Sequence, residues 1–305
     1  MRSVDELTSA GITDSELRKS YLECKRLNSL HGKTYFLATL LLPKAKRPFV
    51  HSLYGFARYA DEIVDAMDPQ RSPASRREEL EQWSWKMLQD IKRGESEDLI
   101  GMALVDTVKR FDISISYFEA FLHSMAMDLE VTEYSNYEAL MEYVYGSAAV
   151  IGLQMLPILG FEQSHEQESK NAAQNLGIAF QLANFIRDVG EDLDRGRIYL
   201  PLDELKSFGV DREMLERRVL TEEISHAIKF QISRVRDLQS KVAIGIQYLE
   251  ESSQPCIEAA SELYCGIVDE VENIDYQVFA KRAKTSTLRR LKVALPAWAR
   301  AIAAR

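Results

Sequence analysis

Apolar residues recur at helical spacing along almost the whole chain, and the alternation typical of strands is scarce. Turn signals are thin, because the 305 residues include only 14 glycines and 8 prolines. No fixed-period repeat, low-complexity tract or long linker divides the chain. These features predict one all-α domain over residues 1–305. Helices are expected at roughly 14–30, 33–42, 48–66, 75–93, 97–110, 115–130, 136–159, 165–190, 219–250, 254–273 and 286–303, with a loop and one short turn at roughly 195–211.

Signals for helix starts occur at three places. A Ser or Thr followed three residues later by Glu or Gln forms a capping box, which satisfies free backbone amides of the first turn. The first residue of each pair is therefore predicted to be an N-cap. The pairs are Thr13 with Glu16, Ser135 with Glu138 and Ser164 with Gln167.

Net charge and cysteine content exclude several classes of protein. A formal net charge of −9 and a pI of about 5.3 argue against a nucleic-acid binder and against attachment to anionic lipid by charge alone. Cys24, Cys256 and Cys265 show no disulfide or metal-ligand spacing, which is typical of the reducing cytosol. The N-terminal sequence lacks the apolar core of a signal peptide, so a cytoplasmic location is expected.

One uncharged segment covers residues 143–161, YVYGSAAVIGLQMLPILGF. Its length could just span a bilayer. It contains Gly146, Gly152, Gln154 and Pro157, however, and no flanking cluster of Lys or Arg. A helix buried in the protein and lining an apolar cavity is therefore the favoured interpretation, and an integral membrane protein is the alternative.

Two distant segments each carry a pair of carboxylates one helical turn apart. The pairs are Asp61 with Asp65 and Asp188 with Asp192, and Asn184 lies one turn before Asp188. Each set places oxygen ligands on one helix face, where like charges repel by about 0.2–0.5 kcal/mol per pair. A shared cation would offset this repulsion. Mg²⁺ prefers such ligands and usually shares its shell with substrate phosphates.

Arginines accompany both acidic pairs. Arg58 lies one turn before Asp61, Arg187 precedes Asp188, and Arg195 and Arg197 follow on a loop. Arginine binds phosphate oxygens bidentately, so a diphosphate ligand would fit this pattern. The simpler alternative is that these acidic residues form solvated helix faces or ion pairs with the loop arginines.

Three stretches resemble one family over most of the chain, from about residue 21 to 294. They are QLANFIRDVGEDLDRGRIYLP at 181–201, YGFARYADEIVD at 54–65 and MAMDLEVTEYSNYEALMEYVYGSAAVIG at 125–152. The chain is similar to the squalene/phytoene synthase family of head-to-head prenyl transferases, and resembles the bacterial phytoene branch more than the squalene branch. The resemblance implies an isoprenoid-synthase-type helical bundle around a central apolar cavity.

The resemblance also implies roles for particular residues. Tyr143 corresponds to a tyrosine facing the reacting centre, although it could be an ordinary core aromatic. Asp128 is expected to support the site rather than to act in it. The magnesium-binding positions, which would hold the substrate diphosphates, are Asp61, Asp65, Asn184, Asp188 and Asp192. The predicted substrate-binding residues are Lys33, Arg58, Gln181, Asn184, Arg195, Tyr264 and Arg282.

Two family positions are less secure. The segment His31-Gly32-Lys33-Thr34 corresponds to a flap near the phosphates, but many relatives have serine where this chain has Gly32, and Lys33 could be a solvated lysine. Tyr264, Lys281 and Arg282 fall in a C-terminal region whose match to the family is loose.

The reaction implied by the resemblance joins two geranylgeranyl diphosphates through a cyclopropylcarbinyl diphosphate to give phytoene and diphosphate, the first committed step of carotenoid biosynthesis. Mg²⁺ is the expected cofactor, with Mn²⁺ as an alternative, and no NADPH requirement is expected. Prenyl diphosphates are the expected substrates, and no nucleic acid partner is expected. Peripheral contact with the inner membrane face and with a downstream desaturase is also expected.

Three alternatives stay open at this point. The same chemistry on farnesyl diphosphate would give dehydrosqualene or squalene. The chain could be a non-catalytic helical assembly partner that kept the fold. A site that had lost its activity, however, would have no reason to keep mutually repelling carboxylates. The proton-accepting base could be Tyr143 or the released diphosphate. Oligomeric state and double-bond geometry do not follow from the sequence.

Overall fold

The computed structural model describes residues 5–64 and 72–304, without the side chain of Pro73, and these residues are helical almost throughout. No β-strand forms in these ranges, where extended segments meet in two isolated bridges, Glu133 with Ile198 and Phe161 with Leu249. The all-α prediction is confirmed. The helices are α1 (Glu6–Ser9), α2 (Ser15–His31), α3 (Lys33–Thr39), α4 (Arg47–Val64), α5 (Pro73–Arg93), α6 (Gly101–Phe111), α7 (Ile115–Met127), α8 (Tyr137–Val144), α9 (Val150–Leu159), α10 (Glu166–Asp194), α11 (Leu202–Ser207), α12 (Arg212–Glu216), α13 (Glu222–Ile246), α14 (Gln254–Cys265), α15 (Ile267–Asn273) and α16 (Thr287–Ala303).

The three predicted N-caps are each wrong by one residue. Asp14, Asn136 and His165 stand at the N-cap positions of α2, α8 and α10. Asp14 accepts hydrogen bonds from the amides of Glu16 and Leu17 at 3.1 and 2.8 Å, and Asn136 accepts one from Ala139 at 2.8 Å. Asp and Asn cap at least as well as Thr and Ser, so the neighbouring residue takes the position.

Several boundaries also differ from the prediction. Helix α6 begins at Gly101 rather than near residue 97, because the Asp98 carboxylate accepts hydrogen bonds from the amides of Ile100 and Gly101. The single helix predicted at 254–273 is two helices that meet at Gly266. Helix α10 continues to Asp194 rather than ending near residue 190, so Asp188 and Asp192 both lie on the helix, as their spacing predicts.

Helix α10 is the central packing element, since it contacts α9, α13, α14 and α15. Two glycines let it approach α9 and the turn before it closely. A Cβ added at Gly152 would lie 2.2 Å from the carbonyl oxygen of Ala173, and one at Gly177 would lie 2.4 Å from that of Ala148. These distances leave no room for a methyl group, so both glycines hold the helix spacing.

A π-helical turn, Tyr145–Ala149, joins α8 to α9. The Ser124 hydroxyl of α7 donates to the carbonyl oxygen of Tyr143 at 2.9 Å, just before the helix widens. A Cβ at Gly146 would lie 2.1 Å from the carbonyl oxygen of Ala120, so α7 sits directly against this turn. Such turns often occur at functional sites, and this one follows Tyr143.

The uncharged segment forms part of the protein core. The helix Tyr137–Leu159 is long and apolar enough to cross a membrane by length and composition, the one such helix in the described ranges, yet 56% of its most apolar window is buried in the protein. Val144, Ala149 and Val150 are fully buried. Met141, Ile151 and Met155 stay half-buried. This leaves accessible apolar surface of the kind that the predicted cavity requires.

Candidate active site

One face of α10 carries the polar residues that the sequence singled out. Gln181, Asn184, Asp188 and Asp192 follow one another at intervals of three or four residues, and all four are half-buried. Between them, Leu182, Ala183, Phe185, Ile186 and Val189 are buried in the core. The predicted ligands therefore form one stripe along the helix.

Asp188 lies between two arginines. Arg187 donates to its carboxylate from Nε and Nη2 at 2.7 and 2.5 Å. Arg282, 94 residues further along the chain, donates from Nε and Nη2 at 2.8 and 3.1 Å. Burial raises the pKa of Asp188, but these hydrogen bonds more than offset it, so the pKa lies below its usual value. Asp188 is therefore ionised, and it holds Arg282 at the site.

The pKa of Asp192, one turn later, is shifted in the opposite direction. Burial and then the charge of Asp188 raise its pKa to about 7, and Arg195 and Arg197 only partly oppose this. A divalent cation would stabilise this second carboxylate by relieving both effects. Arg195 itself is exposed on the loop that follows.

A polar cluster around Asp128 holds Tyr143 in place. The carboxylate of Asp128 accepts hydrogen bonds from the hydroxyls of Tyr143 and Tyr199 at 3.1 and 2.9 Å. Its backbone carbonyl accepts one from Arg197 at 2.9 Å. The rings of Tyr143 and Tyr199 stack with centroids 5.7 Å apart. Burial and then the Asp128 charge raise the pKa of Tyr143 well above its ordinary value, so its hydroxyl stays protonated.

The first acidic segment lies at the end of α4. Arg58 donates to Asp61 at 2.7 Å and to Glu62 at 3.0 Å. His31 of the flap lies 3.6 Å from Glu62, between Nε2 and Oε1. Asp65, predicted as the second ligand here, lies outside the described residues.

Tyr35 of α3 lies between α4, which carries the first acidic segment, and α14. Its ring lies 6.2 Å from that of Tyr54, which is two turns before Asp61 on α4. On the other side it stacks on Tyr264 of α14 at 4.7 Å. Gly32 makes this possible, because a Cβ there would lie 2.5 Å from the Tyr54 ring. A serine at this position would require Tyr54 to move.

A basic pocket of about 260 Å³ opens beside Asp188. It contains the predicted Tyr264 and Arg282 together with Arg187. Lys33 is exposed, and its neighbour Thr34 lines the pocket in its place. The other lining residues were missed by the sequence interpretation, although all but two belong to an acid-free stretch after Asp275. The full lining is Thr34, Arg187, Leu263, Tyr264, Ile267, Arg282, Ala283, Lys284, Thr285 and Arg290.

The donor set fits a hard divalent cation shared with a ligand. The available groups are carboxylate and amide oxygens on α10 and a carboxylate on α4, which suit Mg²⁺. Across residues 5–64 and 72–304, no three Asp, Glu, His or Cys side chains gather closely enough to hold an ion by themselves. Phosphate oxygens would complete the shell, and the neighbouring pocket supplies arginines to bind them.

Comparisons with known proteins identify the family. Residues 29–289 match the model of the family described as squalene/phytoene synthase. The chain is 35% identical to the 15-cis-phytoene synthase of Synechococcus elongatus, over 91% of this chain and 92% of the relative. It is also 35% identical to the chloroplastic phytoene synthase 2 of Solanum lycopersicum, over 94% and 92%. A crystal structure of a dehydrosqualene synthase with a ligand superposes with a TM-score of 0.84 at 25% identity, over 97% of this chain and 98% of that one. The chain belongs to the squalene/phytoene synthase family.

Proposed function

We propose that this protein is a prenyltransferase that condenses two geranylgeranyl diphosphates head to head into phytoene. The observation that carries the proposal is the juxtaposition of the α10 acidic stripe with the basic pocket. Asp188 and Arg282 meet at their border, so one ligand can contact both. Relatives named phytoene synthase, 34–38% identical over more than nine-tenths of this chain, support the substrate assignment.

The ionisation step needs stabilisation of the departing diphosphate. Arg187 and Arg282 would donate to its oxygens, and Asp61, Asn184, Asp188 and Asp192 would hold Mg²⁺. The cation would supply charge neutralisation of the leaving group when bound. Arg58 would orient Asp61 and Glu62. We propose no role for NADPH, because phytoene formation ends in proton loss rather than reduction.

The carbocation that remains needs surroundings without water. The half-buried apolar residues of α8, α9 and α10 would provide such walls, with Tyr143 beside them. The resemblance implies a cyclopropylcarbinyl diphosphate that ionises again and rearranges. Because the hydroxyl of Tyr143 stays protonated and donates to Asp128, the released diphosphate is the better candidate for the final proton acceptor.

The experiment that tests this function offers the purified protein geranylgeranyl and farnesyl diphosphates separately with Mg²⁺. Phytoene from the C20 substrate is the expected product. Dehydrosqualene as the main product would support the second candidate function, which the similarity to a dehydrosqualene synthase structure favours. Failure to release diphosphate from either substrate would leave the non-catalytic helical partner as the explanation.

Two further expectations follow from the chemistry of substrate and product. Both carry long apolar chains, so we propose peripheral contact with the inner membrane face from a cytoplasmic location. A desaturase would consume the phytoene.

A further inference from the structure

Helix α16 presents its large apolar side chains away from the protein. Leu288, Leu291, Leu295, Trp298 and Ile302 are 63, 50, 62, 57 and 48% exposed. Their spacing of three and four residues places them in one line, called here the outer stripe. Ala297 and Ala301 pack inward and are 1% and 0% exposed. A water-facing helix normally has the reverse arrangement.

The charges of α16 separate into two groups. Arg289 is half-buried and binds Asp269 at 2.8 Å, and Arg300, although exposed, pairs with Glu258. Arg290 and Lys292 are exposed, and Lys292 lies within one turn of both Leu288 and Leu295. No Asp or Glu occurs after Asp275, whereas eight Lys and Arg residues do. Although the whole chain has a net charge of −9, its C-terminal segment is basic, so charge would assist an apolar contact with anionic lipid at this segment.

We propose that the outer stripe of α16 docks on the surface of a bilayer containing anionic lipid. A helix of 17 residues with four cations and no acidic residue is suited to lie in the interface and not to cross it. The stripe would enter the acyl boundary, Trp298 would sit at headgroup level, and Lys292 would face lipid phosphates. This inference names the surface for the membrane contact proposed above and rests on that proposed function for its biological use.

A second copy of the chain is the competing occupant, because the same spacing could form a helix–helix seam. Pairing two outer stripes would bring the exposed Lys292 of both copies to one interface. No carboxylate in residues 276–305 could neutralise them, and Glu258 and Asp269 beside the helix already pair with Arg300 and Arg289. Anionic lipid neutralises the same charges, so charge complementarity favours the membrane.

Docking through α16 would place the active-site pocket at the bilayer surface. Arg290, at the start of α16, lines the basic pocket. Helix α3 packs on α14, as α16 does, and exposes Leu37. A lipid with an anionic head and a long prenyl tail could then reach the pocket directly from the membrane.

The test measures co-sedimentation of the full chain with vesicles of phosphatidylcholine alone or mixed with phosphatidylglycerol. We expect binding to the anionic vesicles. The Leu295→Ser/Trp298→Ser variant should bind at least about tenfold more weakly, and Lys292→Glu at least about fivefold more weakly, since each surface cation contributes about that factor. Matched controls are Ile244→Ser/Trp85→Ser, at similarly exposed apolar sites elsewhere, and Lys241→Glu. Both should bind like the unmodified protein.

Unchanged vesicle binding by Leu295→Ser/Trp298→Ser would overturn the inference. The inference would also be overturned if the unmodified protein did not bind vesicles but formed a dimer, and if Leu295→Ser/Trp298→Ser dissociated that dimer. Turnover on detergent-dispersed substrate should be the same for the variant and the unmodified protein, and lower for the variant when substrate is embedded in vesicles. Absence of turnover in every protein would reject the proposed function, while the vesicle binding would still decide the docking surface.

Discussion

Asp188 and Asp192 are the same residue type one helical turn apart, yet their pKa values move in opposite directions. Two arginines hold the pKa of Asp188 below its ordinary value despite burial, whereas burial and the charge of Asp188 raise that of Asp192 to about 7. This divergence is a feature of functional carboxylate pairs.

The metal-free protein should be stabilised by Asp192→Asn. The pKa of Asp192 is raised from 3.8 to about 7, so the unfolded chain binds fewer protons between these values and stability falls as pH rises through that window. Removing the charge should therefore add on the order of 2 kcal/mol at pH 8 and almost nothing near pH 4. Urea unfolding with a chelator at both pH values measures this.

Asp194→Asn is the control for that experiment, because Asp194 is exposed and pairs with Arg218. It should not reproduce the pH-dependent gain. If Asp192→Asn stabilised the protein equally at both pH values, burial and the Asp188 charge would not be disfavouring the ionised form of Asp192.

Tyr199→Phe should weaken both the fold and the reaction. The change removes a hydroxyl that donates to the buried side of Asp128, which costs about 1–2 kcal/mol. Tyr143 shares that carboxylate and stacks on Tyr199, so turnover should fall as well. Chemical denaturation measures the loss of stability, and the rate of product formation measures the loss of turnover. Tyr145→Phe, at a residue 44% exposed, serves as the comparison, and equal behaviour of the two variants would contradict the cluster's role.

At the scale of elements, the site depends on close packing around the π-helical turn. Gly146 and Gly177 allow α7 and α10 to pack directly against the turn. The Ser124 hydroxyl donates a hydrogen bond to the backbone carbonyl of Tyr143. The ring of Tyr143 is therefore placed by contacts from helices on both sides.

Gly152→Ala should destabilise the protein by about 1–3 kcal/mol, because its methyl group would meet the carbonyl oxygen of Ala173 and push α9 from α10. The midpoint of thermal unfolding measures the effect. Ser147→Ala, in the π-helical turn just before α9, is the matched control. The Ser147 hydroxyl is buried without a hydrogen-bond partner in the described residues, so its loss should be neutral or mildly stabilising. Equal midpoints for the two variants would contradict the packing argument.

At the scale of the whole molecule, the sequence predicts best what is local and periodic. The helical spacing of apolar residues predicts the all-α fold and most helix positions. The motif at 181–201 identifies the family. Two predicted N-caps were wrong because Asp14 and Asn136 bind the amides instead, and the third because Ser164 lies in a 3-10 turn that leads into α10. Arg282 could be placed only by a loose family match, since its contact with Asp188 spans 94 residues. The link from Tyr35 to Tyr264 has no local signal at all.

In the proposed reaction, the α10 carboxylates and the pocket arginines act together on a diphosphate. The most direct test is diphosphate release from geranylgeranyl diphosphate with Mg²⁺ by the unmodified protein, Asp188→Asn and the control Asp194→Asn. We expect at least about a hundredfold loss for Asp188→Asn, with unchanged helicity and a control that behaves like the unmodified protein. Release by Asp188→Asn within twofold of the unmodified protein would contradict it.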